Sequence, residues 1–83
     1  MTLTIKYFAR LREQLGSQEQ RAFTQGLTLG GLRDALIAEG GVHAQALSRE
    51  AFLRAARNQQ MCAETELLAD GDEVAFFPPV TGG

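Results

Sequence analysis

The sequence predicts an α+β domain, a mixed sheet with one main helix packed across one face. Three observations carry this expectation. An alternating apolar run opens the chain, a Leu stripe at helical spacing occupies its middle, and short apolar runs bounded by Gly and Pro follow. The 83 residues suffice for one domain. A hydrophobic share of 45% against a charged share of 22% excludes a disordered chain. Eleven Leu, five Phe and one Tyr can pack one sheet against one or two helices, and leave no room for a deep substrate cavity.

The elements follow in order. From Thr2 to Phe8, Leu3, Ile5 and Tyr7 alternate with Thr4, Lys6 and Phe8, which is the period of a strand with one face in the core. Phe8, Leu11 and Leu15 then fall at i, i+3 and i+7, predicting a short helix stopped by Gly16. Gln18 to Thr24 reads as a second strand in which only Ala22 and Phe23 are apolar, and Gln25-Gly26 as a turn. Thr28 suits the N-cap of the main helix, whose stripe is Leu29, Leu32 and Leu36, reinforced by Ala35 and ended by Gly40-Gly41. Gly30 and Gly31 in its first turn each cost up to about 1 kcal/mol relative to Ala. Close approach to another backbone would account for them. Val42 to Phe52 reads as a loop with a helical turn around Ala44 to Leu47, and Leu53 to Met61 as a strand interrupted by Asn58-Gln59-Gln60. Asp70-Gly71 signals a turn before the apolar strand Val74 to Phe77, which Pro78-Pro79 closes because proline cannot donate to a ladder. If the first and last strands are neighbours they pair in parallel at the sheet centre, which is the β-grasp, or ubiquitin-like, arrangement. Residues 1–77 form that domain and residues 78–83 an extended tail.

Charge and cysteine usage exclude several classes. A net charge of −2 shows no basic excess for nucleic acid. No apolar run approaches the roughly 20 residues of a membrane span, and the opening residues lack a secretory layout, so a cytoplasmic location is expected. One cysteine, Cys62, excludes an internal disulfide framework, and its neighbours offer no base to activate it. His43 has no second His or Cys at ligand spacing and reads as structural; no metal is expected. Asp70 and Asp72 read as turn residues rather than paired acids, and Arg10 and Arg12 as a solvated face.

The tail is the informative feature, although a terminal Gly82-Gly83 taken alone reads as a frayed end. Pro78-Pro79 favours extended geometry and projects the chain from the last strand. Residues 78–83 reach roughly 20 Å, at about 3.3–3.6 Å each. Gly82 and Gly83 have no side chains, so a narrow tunnel in a partner could admit them. Their carboxylate is a poor electrophile, and activation requires a mixed anhydride such as an acyl-adenylate. Neither G-x-x-x-x-G-K-[ST] nor G-x-G-x-x-G occurs in the sequence, so if the tail is chemically active a separate nucleotide-using enzyme is implied for Gly83. Phe76 and Phe77 face opposite sides of the last strand; Phe76 is expected in the core and Phe77 at a partner interface.

Two segments resemble a known family. Tyr7-Phe8-Ala9-Arg10-Leu11-Arg12-Glu13 and the run from Asp70-Gly71-Asp72-Glu73-Val74 to Pro78-Pro79-Val80-Thr81-Gly82-Gly83 look like the small, sulfur-carrying subunits of molybdopterin synthase, the MoaD family. One departure is Arg57, where members commonly carry a small apolar residue before Asn-Gln. The resemblance implies that an adenylyltransferase related to ubiquitin activators uses ATP on Gly83, and that a sulfur-donating enzyme then gives a Gly83 thiocarboxylate. Pro78, Pro79, Val80, Thr81 and Gly82 would insert into the large subunit, which supplies the catalytic basic residues. Sulfur would pass to cyclic pyranopterin monophosphate within a heterotetramer of two small and two large subunits. No cofactor would be bound by the small subunit itself, which would donate sulfur without a complete active site of its own. The alternatives are a sulfur carrier for thiamine, cysteine or tRNA thiolation, and a ubiquitin-like protein modifier or interaction domain.

Overall fold

In the computed structural model, which describes residues 1–79, eight elements follow the chain. They are β1 (Thr2–Tyr7), α1 (Arg10–Leu15), β2 (Gln18–Ala22), α2 (Leu29–Ala38), α3 (Gly41–Ala46), β3 (Arg54–Arg57), β4 (Gln60–Met61) and β5 (Glu73–Phe77). The sheet runs β2-β1-β5-β3-β4. As expected, β1 and β5 pair in parallel, with Ile5 opposite Val74 and Tyr7 opposite Phe76. The strands flanking that pair are antiparallel to it.

The alternation in β1 settles which face is buried. Leu3, Ile5 and Tyr7 are almost wholly inaccessible and meet Leu29, Leu32 and Leu36 of α2. Thr28 caps α2, its hydroxyl accepting the Gly31 N–H at 3.0 Å. Gly30 has the reason anticipated for it. Its N–H donates to the Glu64 carbonyl at 2.8 Å, and a Cβ there would stand 3.2 Å from that oxygen. No helix among the described residues is long and apolar enough to cross a membrane.

Five details differ from expectation. Phe8 precedes α1 instead of joining its stripe, because Ala9 turns the chain at φ 56°, and it stays 46% exposed. Ala35 is exposed, whereas Arg33 is buried on the core side of α2. Val42 lies in the short helix α3, which begins earlier than the expected turn at Ala44. Asn58 and Gln59 do not interrupt a strand: both take positive φ, 51° and 70°, and form the two-residue turn of a β3–β4 hairpin. β2 ends at Ala22, two residues short of Thr24, and Phe23 closes onto Met1 through a 3.1 Å backbone bond.

Candidate functional site: the exit of the last strand

Any tail chemistry depends on how firmly β5 launches the chain. It lies at the middle of the sheet, paired with β1 from Glu73 to Phe76 on one side and with β3 from Val74 to Phe77 on the other. Val74 and Phe76 are buried against α2's side of the sheet, and the Phe76 ring stacks on Tyr7 with centroids 6.4 Å apart. The Phe8 N–H donates to the Phe76 carbonyl at 3.3 Å, so pairing continues to the strand's last turn outward. Phe76 is therefore core, as expected.

Phe77 has the opposite facing. It is half-buried, sits opposite Arg54 of β3, and shares the outer sheet face with Ala75. Ala56 and Met61 are paired across the same face, and Met61 is 52% exposed. Apolar surface thus adjoins the point where the chain leaves the sheet. The ladder stops at Phe77, and Pro78 and Pro79 follow, half-buried. Val80, Thr81, Gly82 and Gly83 lie outside the described residues.

The start of β5 is anchored as tightly as its end. Gly71, at φ 86°, makes the turn, and its N–H donates to the Thr2 carbonyl at 2.9 Å. Asp70 accepts the Thr2 N–H at 2.8 Å. Asp72, only 6% exposed, accepts from the Ala69 N–H at 2.7 Å, Arg57 Nε at 2.6 Å and Asn58 Nδ2 at 2.9 Å. Arg57, the departure from the family pattern, thus ties the β3–β4 hairpin to the entry of β5. Sequence reasoning gave Asp72 no more than a turn; its side-chain partners Arg57 and Asn58 come from 15 and 14 residues away.

Burial alone would raise the Asp72 carboxyl, but bonds from Arg57, Asn58 and the Ala69 amide outweigh it and hold it below the usual carboxylate value. A depressed folded-state value stabilises the fold above the unfolded value of about 3.9 and is lost as pH falls through the folded one. Stability should therefore decline below about pH 4, and Asp72→Asn should flatten that acid limb. Urea titrations at stepped pH check this; an unchanged acid limb in the variant would assign the decline elsewhere.

The other candidates are structural. His43 joins α3 to β2, its Nε2 lying 2.8 Å from Glu19 Oε2, while the Tyr7 hydroxyl donates to the same oxygen at 2.7 Å. The Cys62 thiol is raised by its partial burial, the opposite of what a reactive thiol needs. Arg10 and Arg12 are exposed, with no ion pair among the described residues.

Comparison with known proteins bears on what this exit serves. The ThiS family model matches residues 5–83. The molybdopterin synthase sulfur carrier subunit of Escherichia coli is 40% identical over 81 residues, covering 98% of this chain and 99% of that protein. That of Haemophilus influenzae is 36% identical over the same coverage. The small archaeal modifier protein 1 of Haloferax volcanii is 39% identical over 88 residues, 94% of this chain and 97% of that one. Its crystal structure superposes with a TM-score of 0.77 at 33% identity, covering both chains completely. The chain belongs to the ThiS family, and within it to the MoaD-like proteins with the ubiquitin-like β-grasp fold.

Proposed function

We propose that this chain is the sulfur-carrier subunit of a molybdopterin synthase, working in the cytoplasm with the synthase's large subunit. The observation that carries the reading is its near-full-length likeness to two sulfur carrier subunits of that enzyme. A separate ATP-using enzyme adenylates Gly83, and a sulfur donor displaces AMP to leave a thiocarboxylate. Residues 78–82 enter the large subunit, and the sulfur of Gly83 attacks cyclic pyranopterin monophosphate on the way to the dithiolene. In this role a soft, polarisable thiocarboxylate sulfur is a better nucleophile than carboxylate oxygen. Tethering it to a docked protein raises its effective concentration at the acceptor. β5 supports this use because β1 holds it in register up to Phe76 and β3 up to Phe77.

Intact-mass analysis after incubation with ATP, activating enzyme and a sulfur source tests the proposal. A replacement of oxygen by sulfur, mapped to Gly83, is the expected result; an unmodified chain would overturn it. A second reading, protein modification, is favoured by the likeness to the archaeal modifier. In that case the same incubation with candidate acceptor proteins yields an isopeptide-linked conjugate.

Phe77 is the proposed docking contact. Truncating an interface anchor commonly costs over about 1 kcal/mol of binding. Phe77→Ala should weaken the complex with the large subunit by at least that amount and leave the fold intact, since the ring lies outside the helix-covered core. A circular-dichroism melt with a binding titration checks both halves, and unchanged affinity removes Phe77 from the interface.

A further inference from the structure

The sheet ends differently at its two sides. β4 has only two residues, and a very short edge strand offers little to pair with. β2 forms the other edge with five residues, Gln18–Ala22, and holds no proline, lysine or positive φ that would blunt it. Its register fixes which backbone groups face outward. The Tyr7 N–H donates to the Ser17 carbonyl and the Phe23 N–H to the Met1 carbonyl, both at 3.1 Å. Bonded pairs alternate along an antiparallel ladder, so Glu19 and Arg21 also turn their amides toward β1, opposite Ile5 and Leu3. The amides and carbonyls of Gln18, Gln20 and Ala22 therefore point away from the sheet. All three residues are exposed, and among the described residues no strand pairs with them on that side.

The side chains between them select what can pair there. Glu19 and Arg21 lie on the helix-covered face, 21% and 30% exposed. The side-chain hydrogen bonds and ion pairs of Arg21 among the described residues all run through Nη2, to Glu19, Glu39 and His43. Nη1 is left for a carboxylate from outside. An antiparallel copy of β2 centred on Gln20 would set Glu19 opposite the partner's Arg21, and Arg21 opposite the partner's Glu19. These are the non-bonded positions of such a ladder, about 4.5 Å apart at Cα, where facing side chains interact most closely. Slipping the pairing by two residues either way would set Glu19 on the partner's Glu19 or Arg21 on the partner's Arg21. Like charges directly opposite are destabilising, so the charge pattern fixes the register.

We propose that β2 is a self-association edge, at which two copies of the chain pair β2 against β2, antiparallel about Gln20. Gln20 exchanges both backbone bonds with the partner's Gln20, and Gln18 exchanges both with the partner's Ala22. Two five-stranded sheets become one continuous sheet. The two copies are related by a two-fold axis through the Gln20 pair, so the contact closes at a dimer instead of growing a fibre. β1 separates β2 from β5, so the contact leaves Phe77 uncovered.

Sedimentation velocity of the full chain, from micromolar to millimolar concentration, tests the pairing. The wild-type protein should shift from monomer to dimer across the series. Gln20→Pro removes an N–H that bonds nothing inside the domain and should leave a monomer. Gln20→Lys sets like charges face to face at the axis and should weaken association severalfold. A melt of each variant shows that the sheet is intact. Register is read by oxidation in a Cys62→Ala background. Gln20→Cys should cross-link, its Cα atoms lying about 5.5 Å apart. Gln18→Cys should not, because an offset of four residues carries its two copies roughly 14 Å apart. A wild-type monomer at every concentration would overturn the proposal and leave the edge to a strand of another protein. Undiminished dimer in both Gln20 variants, or cross-linking through Gln18→Cys in place of Gln20→Cys, would overturn it as well.

Discussion

Deleting Gly83 is expected to abolish sulfur transfer and leave the melting temperature unchanged. The two halves of that result have different physical origins. The described contacts of the fold lie within residues 1–79: the parallel β1–β5 pairing, the core under α2 and the turn at Gly71. None of them involves Gly83, so the truncated chain keeps its core. The chemistry, on the proposed reading, loses its site altogether. Gly82 would inherit the carboxylate but end one residue short, about 3.3–3.6 Å from where the acceptor expects it. A misplacement of even about 1 Å can cost roughly 100-fold in rate. A coupled assay of product formation beside a thermal melt separates the effects. Retained transfer in the truncated protein would remove Gly83 from the mechanism, and a lowered melting temperature would mean that the tail packs on its own domain.

Much of this arrangement is legible in the residues, and the exceptions share a cause. The alternation of Leu3, Ile5 and Tyr7 gave the first strand and its facing because one buried face imposes period two. Thr28, Asp70-Gly71 and Pro78 marked boundaries because capping, positive φ and a missing N–H are local properties. The same alternation puts Phe76 and Phe77 on opposite faces, and burial in the fold identifies Phe76 as the core one. What was not legible depends on chain brought in from a distance. Phe8 fits a helical stripe by spacing, yet the turn at Ala9 starts the helix after it. Asn58 and Gln59 look like a polar interruption until the hairpin that they turn is formed. Asp72 reads as one more turn residue until Arg57 and Asn58 arrive beside it. For the candidate site, the residue types of the tail were informative; the facing of Phe77 followed from alternation, and the apolar surface around it required the pairing of β3 and β4.

Arg33 is the clearest case of the same kind, and its replacement should have the largest effect on stability. On sequence it is one polar position in the main helix; in the fold it is 4% exposed. Its Nε donates to the Leu47 carbonyl at 2.9 Å, and Nη2 to the carbonyls of Ser48 at 2.7 Å and Ala51 at 3.0 Å. Nη1 pairs with Glu64 Oε2 at 3.0 Å. Arg49 reaches the same Glu64 and also Asp34 of α2, so the two arginines together fasten the irregular chain between α3 and β3 to the main helix. A planar guanidinium spreads five donors over a fixed fork and reaches acceptors several ångströms apart, whereas the three donors of an ammonium radiate from one nitrogen. Arg33→Leu keeps apolar bulk but leaves three carbonyls without their donor and Glu64 with Arg49 alone. Stranded carbonyls and a broken, part-buried pair together should cost about 3 kcal/mol. In a domain of this size each kcal/mol is worth about 4–8 °C in melting temperature, so the variant should melt more than about 10 °C lower. Arg33→Lys should recover only part of the loss, because one ammonium cannot span acceptors on both sides of the fork. Urea unfolding of the three proteins measures this. A cost below about 1 kcal/mol for Arg33→Leu would show that water replaces the guanidinium freely, and that the segment from Leu47 to Ala51 is held by its own packing.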